Sequence, residues 1–314
     1  MIFGISAGFT WALETVILGI ALAMSPFYET EKAVFLAPFV CTFLHDLCSA
    51  IWAGIYNTAR GNLNEVFAVL KTKQGRLVPL GALLGGPVGM TGYILAVSEL
   101  GPSVGAIASA VYPAIGAVLA FLFLKEKMPW YRWILLVITL LGVFGLSYSP
   151  TVELHNFWLG LLGALMCSFG WGTEGVILAK SFQSGEVKQE YALQIRQTTS
   201  ALAYGLVLLP ILKGWGFTVD LVRFHIKDAV PVIALAALFA TISYLCYYKS
   251  IAKIGASKSM ALNISYVAWA IVFTVIILHD TSVLSPFTII CALVVIICGI
   301  LSSTEFKKKT KFPL

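Results

Sequence analysis

Apolar residues in this chain run in long blocks instead of alternating with polar ones. Blocks of roughly twenty apolar residues, split by short polar connections, are the pattern of helices that cross a bilayer. Ten such blocks can be read, at about 2–24, 33–56, 77–98, 103–124, 130–148, 156–179, 190–212, 230–252, 257–278 and 285–303. The predicted fold is an all-α integral membrane protein with ten transmembrane helices. The first block has no basic flank and is too long for a cleavable signal peptide, so it counts as a span.

Composition agrees with the blocks. The chain has 314 residues, 59% of them hydrophobic and 11% charged, with a mean hydropathy of +0.90. A soluble domain carries about 25% charged residues. The formal net charge is +6, and its placement points to topology. With both termini in the cytoplasm, only Lys32, Lys213, Arg223 and Lys227 of the 21 lysines and arginines fall outside. That obeys the positive-inside rule. The basic residues then face the inner surface and its anionic lipid, and no nucleic-acid partner is implied. The expected location is a bacterial cytoplasmic membrane. Cys41, Cys48, Cys167, Cys246, Cys291 and Cys298 all lie within spans, without a CxxC pair, and read as small apolar fillers.

One pattern occurs twice. Phe9-Thr10-Trp11-Ala12-Leu13-Glu14 continues into Val16-Ile17-Leu18, and Phe169-Gly170-Trp171-Gly172-Thr173-Glu174 continues into Val176-Ile177-Leu178, 160 positions later. Further pairs follow at an offset of 154: Tyr93 with Tyr247, Gly101 with Gly255, Ser103 with Ser257, Tyr112 with Tyr266, Leu124 with Leu278 and Glu126 with Asp280. The chain therefore divides into a first five-helix repeat, 1–150, a second, 151–304, and a basic cytoplasmic tail, 305–314. An odd number of spans per half makes the repeats antiparallel. That is the inverted repeat of secondary transporters, whose site lies near the midplane between the halves.

Residues 57–76 repeat Leu63, Val66, Phe67 and Leu70 at helical spacing, as a segment lying on the membrane surface would. Residues 213–229 read as an external connection of mixed charge. Gly81, Gly85 and Gly89 form a stripe that admits a close neighbour, and Pro87 marks a loosened turn.

Ionisable residues deep in the spans are functional candidates by default. They are Glu14, His45, Asp46 and Glu174, with Arg196 nearer a helix end. A spacing of three puts Trp11 over Glu14 and Trp171 over Glu174, one turn apart. An aromatic face beside a carboxylate suits a weakly hydrated organic cation, since a desolvated cation–π contact is worth about 2 kcal/mol. Tyr112 and Tyr247 are further expected walls. Trp52, seven residues from His45 on roughly the same helix face, is another. Glu14, His45, Asp46 and Glu174 are the proton-coupling candidates. A buried carboxylate held protonated, or bonded to a neighbouring helix, is the structural alternative. No cofactor loop, metal motif or nucleophile–base arrangement is present, so neither an enzyme nor a cofactor is expected. No partner-binding loop stands out, and a monomer suffices.

These residues resemble the drug/metabolite transporter superfamily in its ten-span EamA branch. The resemblance covers nearly the whole chain. It rests on the 5+5 duplication, on Phe123-Leu124-Lys125-Glu126-Lys127-Met128-Pro129, on Leu140-Leu141-Gly142-Val143, and on the echoes Leu278-His279-Asp280 and Ile297-Cys298-Gly299-Ile300. Within that branch the Trp-x-x-Glu pair resembles bacterial choline permeases. This implies a proton-coupled importer that holds choline in an aromatic cage. An exporter or importer of amino acids, other small metabolites or cationic drugs on the same fold is the alternative.

Overall fold

The structure, a computed structural model, describes residues 1–100, 110–147 and 156–304. Gly101 and Ser103 of the repeat, the start of the fourth span, the junction at 150/151 and the basic tail 305–314 lie outside the described residues.

All regular structure among the described residues is helical. The elements are α1 (Ile2–Leu22), α2 (Glu31–Ala59), α3 (Leu63–Val69), α4 (Leu77–Leu100), α5 (Tyr112–Leu124), α6 (Trp130–Ser147), α7 (Phe157–Phe182), α8 (Gln189–Ile211), α9 (Trp215–Phe224), α10 (Ala229–Ile254), α11 (Ala256–Leu278) and α12 (Pro286–Ser303). Seven of them (α1, α2, α4, α7, α10, α11 and α12) are long and apolar enough to cross a membrane. The bent pair α8–α9 makes an eighth candidate, and α5 and α6 are shorter apolar helices. These ten apolar helical segments are compatible with ten spans.

The packing is preserved when the halves are exchanged. Helix α1 lies along α10 and touches α11, and its repeat counterpart α7 lies along α4 and touches α5. Helices α2 and α8 pack on each other, as do α6 and α12. Each repeat thus lends its first helix to the other, so the close bundles are α1 with α10 and α11, and α7 with α4 and α5.

The connections carry the same correspondence. Lys125 after α5 and His279 after α11 both adopt left-handed φ, 55° and 54°, and they are 154 positions apart. The next residues differ in their partners. Glu126 accepts from the backbone N–H of Ala256 at 2.7 Å and of Ser257 at 3.1 Å, and from the Ser257 hydroxyl. It therefore caps the start of α11 from the opposite half. Asp280 is exposed and accepts from the hydroxyl and N–H of its neighbour Ser282, which hold its carboxyl below the usual range.

Pro87 lies inside a π turn, Leu84–Val88, within α4. Proline lacks the N–H of the regular ladder, and such wide turns mark functional places in helices. The segment after Ala59 does form a short helix, α3, but buries Val66 and Val69 while Phe67 faces outward. It is therefore packed against the bundle. The external connection holds α9, bent by 116° from α8 and fixed by a Trp215 indole bond to the Gly205 carbonyl at 2.9 Å. The cysteines are free. Trp130 and Trp158 are about three-quarters exposed, as interfacial anchors are.

Candidate functional site

The motif of the second half is seated on the glycine stripe. Ile177, Glu174 and Trp171 of α7 face Gly81, Gly85 and Gly89 of α4, in that order. A side chain on Gly85 would run into the Glu174 carboxylate, and one on Gly89 into the Trp171 indole. The π turn offers the Gly85 carbonyl, which accepts from the Trp171 indole N–H at 3.0 Å. Tyr93 lies at 5.7 Å and 30° from the Trp171 ring, and Tyr112 at 5.7 Å edge-on. In the first half, Trp11 meets Tyr244 edge-on at 5.0 Å.

Five buried ionisable side chains form one belt across the molecule. Glu14 Oε1 lies 3.3 Å from His45 Nε2, and His45 Nδ1 lies 3.1 Å from Asp46 Oδ1. Asp46 Oδ2 accepts from Arg196 Nη1 at 3.4 Å. Arg196 Nε donates to Glu174 Oε1 at 3.0 Å, and its Nη1 to Gln197 Oε1 at 2.6 Å. The guanidinium also stands over the Tyr244 ring, 4.8 Å from its centroid. None of the five is more than 7% exposed. Buried charges persist only when paired and hydrogen-bonded, and Arg196 meets that condition from three sides.

Helix α8 carries this polar load because side chains of both helices bond it to α2. Gln194 donates to the Ala50 carbonyl at 3.1 Å, Gln197 to the Ser49 hydroxyl at 2.7 Å, and Asn57 to the Glu190 carbonyl at 3.1 Å. The belt joins the halves: Glu14, His45 and Asp46 come from the first, Arg196 and Glu174 from the second.

The belt borders a cavity of about 120 Å³. Drug-sized pockets begin at roughly 300 Å³, so this one fits a small molecule. Trp11, Tyr112, Trp171, Tyr244, Tyr247 and Tyr248 give it aromatic walls, and Tyr266 and Asn263 line it too. Trp11, Glu14, Tyr112, Trp171, Glu174 and Tyr247 thus line one cavity, with His45 and Asp46 beside them.

Trp52 does not line the cavity. Seven residues along a helix return to the same face but travel about 10 Å along the axis, and the indole N–H is taken by the Ala234 carbonyl of α10 at 3.0 Å. Arg196, expected nearer an end, reaches the centre. It too lies about 10 Å into its helix, and its long side chain covers the remaining distance. The run of amides and hydroxyls around it (Gln194, Gln197, Thr198, Thr199, Ser200) was the available signal: no lipid-facing helix tolerates so many. Tyr244, Tyr248 and Asn263 had no motif to announce them. Among the described residues no three His, Cys, Asp or Glu side chains converge as metal ligands would.

A multi-span helical bundle enclosing a small aromatic cavity with charged groups at its edge has the general architecture of secondary transporters. Residues 1–148, just under half of the chain, match the EamA-like transporter family. Over its whole length it is similar to Protein LicB of Haemophilus influenzae, at 27% identity over 312 residues, 99% of each chain. A solved crystal structure of a protein with 16% identity superposes with a TM-score of 0.69, covering 96% of this chain and 95% of its own. That likeness concerns the fold.

Proposed function

We propose that the protein imports choline, or a closely similar small quaternary ammonium ion, across a bacterial cytoplasmic membrane together with a proton. The observation that carries this reading is charge inequality inside an aromatic cavity. Three buried carboxylates, Glu14, Asp46 and Glu174, face one buried guanidinium, Arg196. A monovalent cation at the aromatic walls and a proton on His45 together make the belt neutral. Either alone leaves a charge uncompensated in a low-dielectric site, which is costly. Joint uptake of the two is therefore the favoured loading.

Roles divide along the belt. Arg196 occupies Glu174 and Asp46, so Glu14 balances the cation, with Trp11, Trp171, Tyr112 and Tyr247 as walls. His45, between Glu14 and Asp46, receives the proton. The two mixed bundles rock about the cavity to give alternating access. Both termini lie in the cytoplasm, as the placement of lysine and arginine favours. The size of the cavity speaks against cationic drugs, and the aromatic walls against an inorganic ion. The resemblance to choline permeases points the same way.

The test is uptake of radiolabelled choline into proteoliposomes at clamped potential, with and without an imposed proton gradient. Choline accumulation that rises with an inward proton gradient is the expected result. Uptake indifferent to the gradient would leave a potential-driven carrier, and no choline uptake would overturn the reading.

A further inference from the structure

The connection between the second and third apolar helices of each half carries a short helix, α3 in the first half and α9 in the second. Five apolar helices, α4 to α8, separate the two connections. That number is odd, so α3 and α9 stand at opposite ends of the bundle. Each packs on the second helix of the other half, α3 on α8 and α9 on α2. These are the helices that hold the middle of the charged belt, His45 and Asp46 on α2 and Arg196 on α8.

Both short helices sit on apolar plugs that reach the cavity. Val66 and Val69 of α3 are buried in a cluster that continues through Tyr191 and Ile195 of α8 to the cavity walls Tyr112 and Tyr247. Leu221 of α9 is fully buried. With Phe217 it belongs to a second cluster, which runs through Phe43 of α2 to Leu18 and Met90 on the cavity lining. The cavity therefore lies between two apolar plugs, one under each short helix.

A polar tie holds each plug in place. The Trp215 indole N–H, at the start of α9, donates to the Gly205 carbonyl at 2.9 Å. That carbonyl belongs to a π turn, Tyr204–Leu208, where α8 widens. The Trp215 ring also meets Phe43 edge-on at 5.3 Å, and a side chain on Gly205 would strike the same Phe43 ring at 2.9 Å. Phe43 is two residues from His45. At the other end, the buried Ser181 hydroxyl of α7 donates to the Gln74 carbonyl, in the turn after α3, at 2.9 Å.

We propose that α3 and α9 are the two gates of the carrier, each seated on a belt-bearing helix, with Ser181 and Trp215 as their latches. Alternating access needs one end of the cavity to open while the other stays shut. A shift of α2 that accommodates charge at His45 and Asp46 moves the Phe43 seat of α9. A shift of α8 at Arg196 moves the seat of α3. The inference rests on the transporter reading and is independent of which cation is carried.

The test reads exposure of the cavity from each face of the membrane. Thr42→Cys places a thiol on the cavity wall, and a membrane-impermeant methanethiosulfonate is applied to either face of sealed vesicles. Vesicles that retain Thr42 give the labelling of the six native cysteines. Trp215→Phe, which keeps an aromatic ring, should speed labelling about fivefold from one face only, the effect of one hydrogen bond on an opening equilibrium. Ser181→Ala should do the same from the opposite face only. A short thiol cross-link in Phe27→Cys with Phe217→Cys, where the rings stand 5.9 Å apart, should abolish labelling from the α9 face. If Trp215→Phe fails to fold, Gly205→Ala, which unseats Phe43, decides. An unchanged rate in either latch variant overturns the paired gates, as does faster labelling from both faces at once. Labelling needs no choline, so a failure of choline uptake and a failure of the gates are read separately.

Discussion

Glu14 and Glu174 stand at matching places in two copies of one motif, yet Glu174 is held by Arg196 at 3.0 Å while Glu14 faces His45 at 3.3 Å. The tryptophans differ as well. Trp171 is fixed by a hydrogen bond to Gly85 and by two tyrosines, whereas Trp11 meets Tyr244. A duplicated sequence therefore does not mean a duplicated role. One copy is a neutralised, pre-organised wall, and the other keeps a carboxylate whose partner carries charge only when protonated. Under the proposed loading of one cation and one proton, this asymmetry would give each its own place in the site.

The comparison breaks most readily at the second glutamate. Glu174→Gln leaves a buried guanidinium short of a partner, and removing one member of a buried pair costs about 3–5 kcal/mol. Thermal unfolding in detergent should show a clear loss of stability, and Arg196→Gln should cost less in that background than in wild type, though not nothing, because Asp46 also loses its partner. The same pair of changes made independent by a double-mutant cycle would refute the pairing. Glu14→Gln should behave in the opposite way. It is expected to leave the melting temperature near wild type and weaken choline binding about 100-fold, or roughly 2.7 kcal/mol. Comparable binding losses for both glutamines, with no difference in stability, would erase the distinction.

Smaller effects sharpen it. Trp171→Leu removes a fixed cation–π wall worth about 2 kcal/mol, roughly 30-fold in affinity, and Trp11→Leu should cost less. A larger loss for Trp11 would reverse the assignment of the rigid wall. His45→Gln should retain choline binding while uncoupling it from protons, so that an imposed gradient no longer raises uptake at clamped potential. Persistent coupling would move the proton to a carboxylate. Trp52→Phe should change choline affinity least, by under about twofold, as expected for a side chain outside the cavity.

The amino-acid pattern by itself determined the membrane class, the helical blocks, the duplication and the two Trp-x-x-Glu faces. Hydrophobic length and helical periodicity are local properties, and a bilayer leaves few alternatives to satisfy the backbone. The glycine stripe was also legible as a place of close approach, though not that its occupant is the functional face of α7. Only the tertiary structure decided the pairings. Arg196 is 22 residues from Glu174 and 150 from Asp46, and nothing local tells a side chain near a helix end which neighbour its charge will meet. Trp52 fell the other way: periodicity gave its face correctly, but its height along α2 carried it past the cavity to Ala234. Asn263 had no signal at all, since its place beside the cavity comes from a helix break. Sequence fixes which chemistry is present and on which face; the packing of helices from opposite halves fixes which charges are already satisfied and which are left for a ligand.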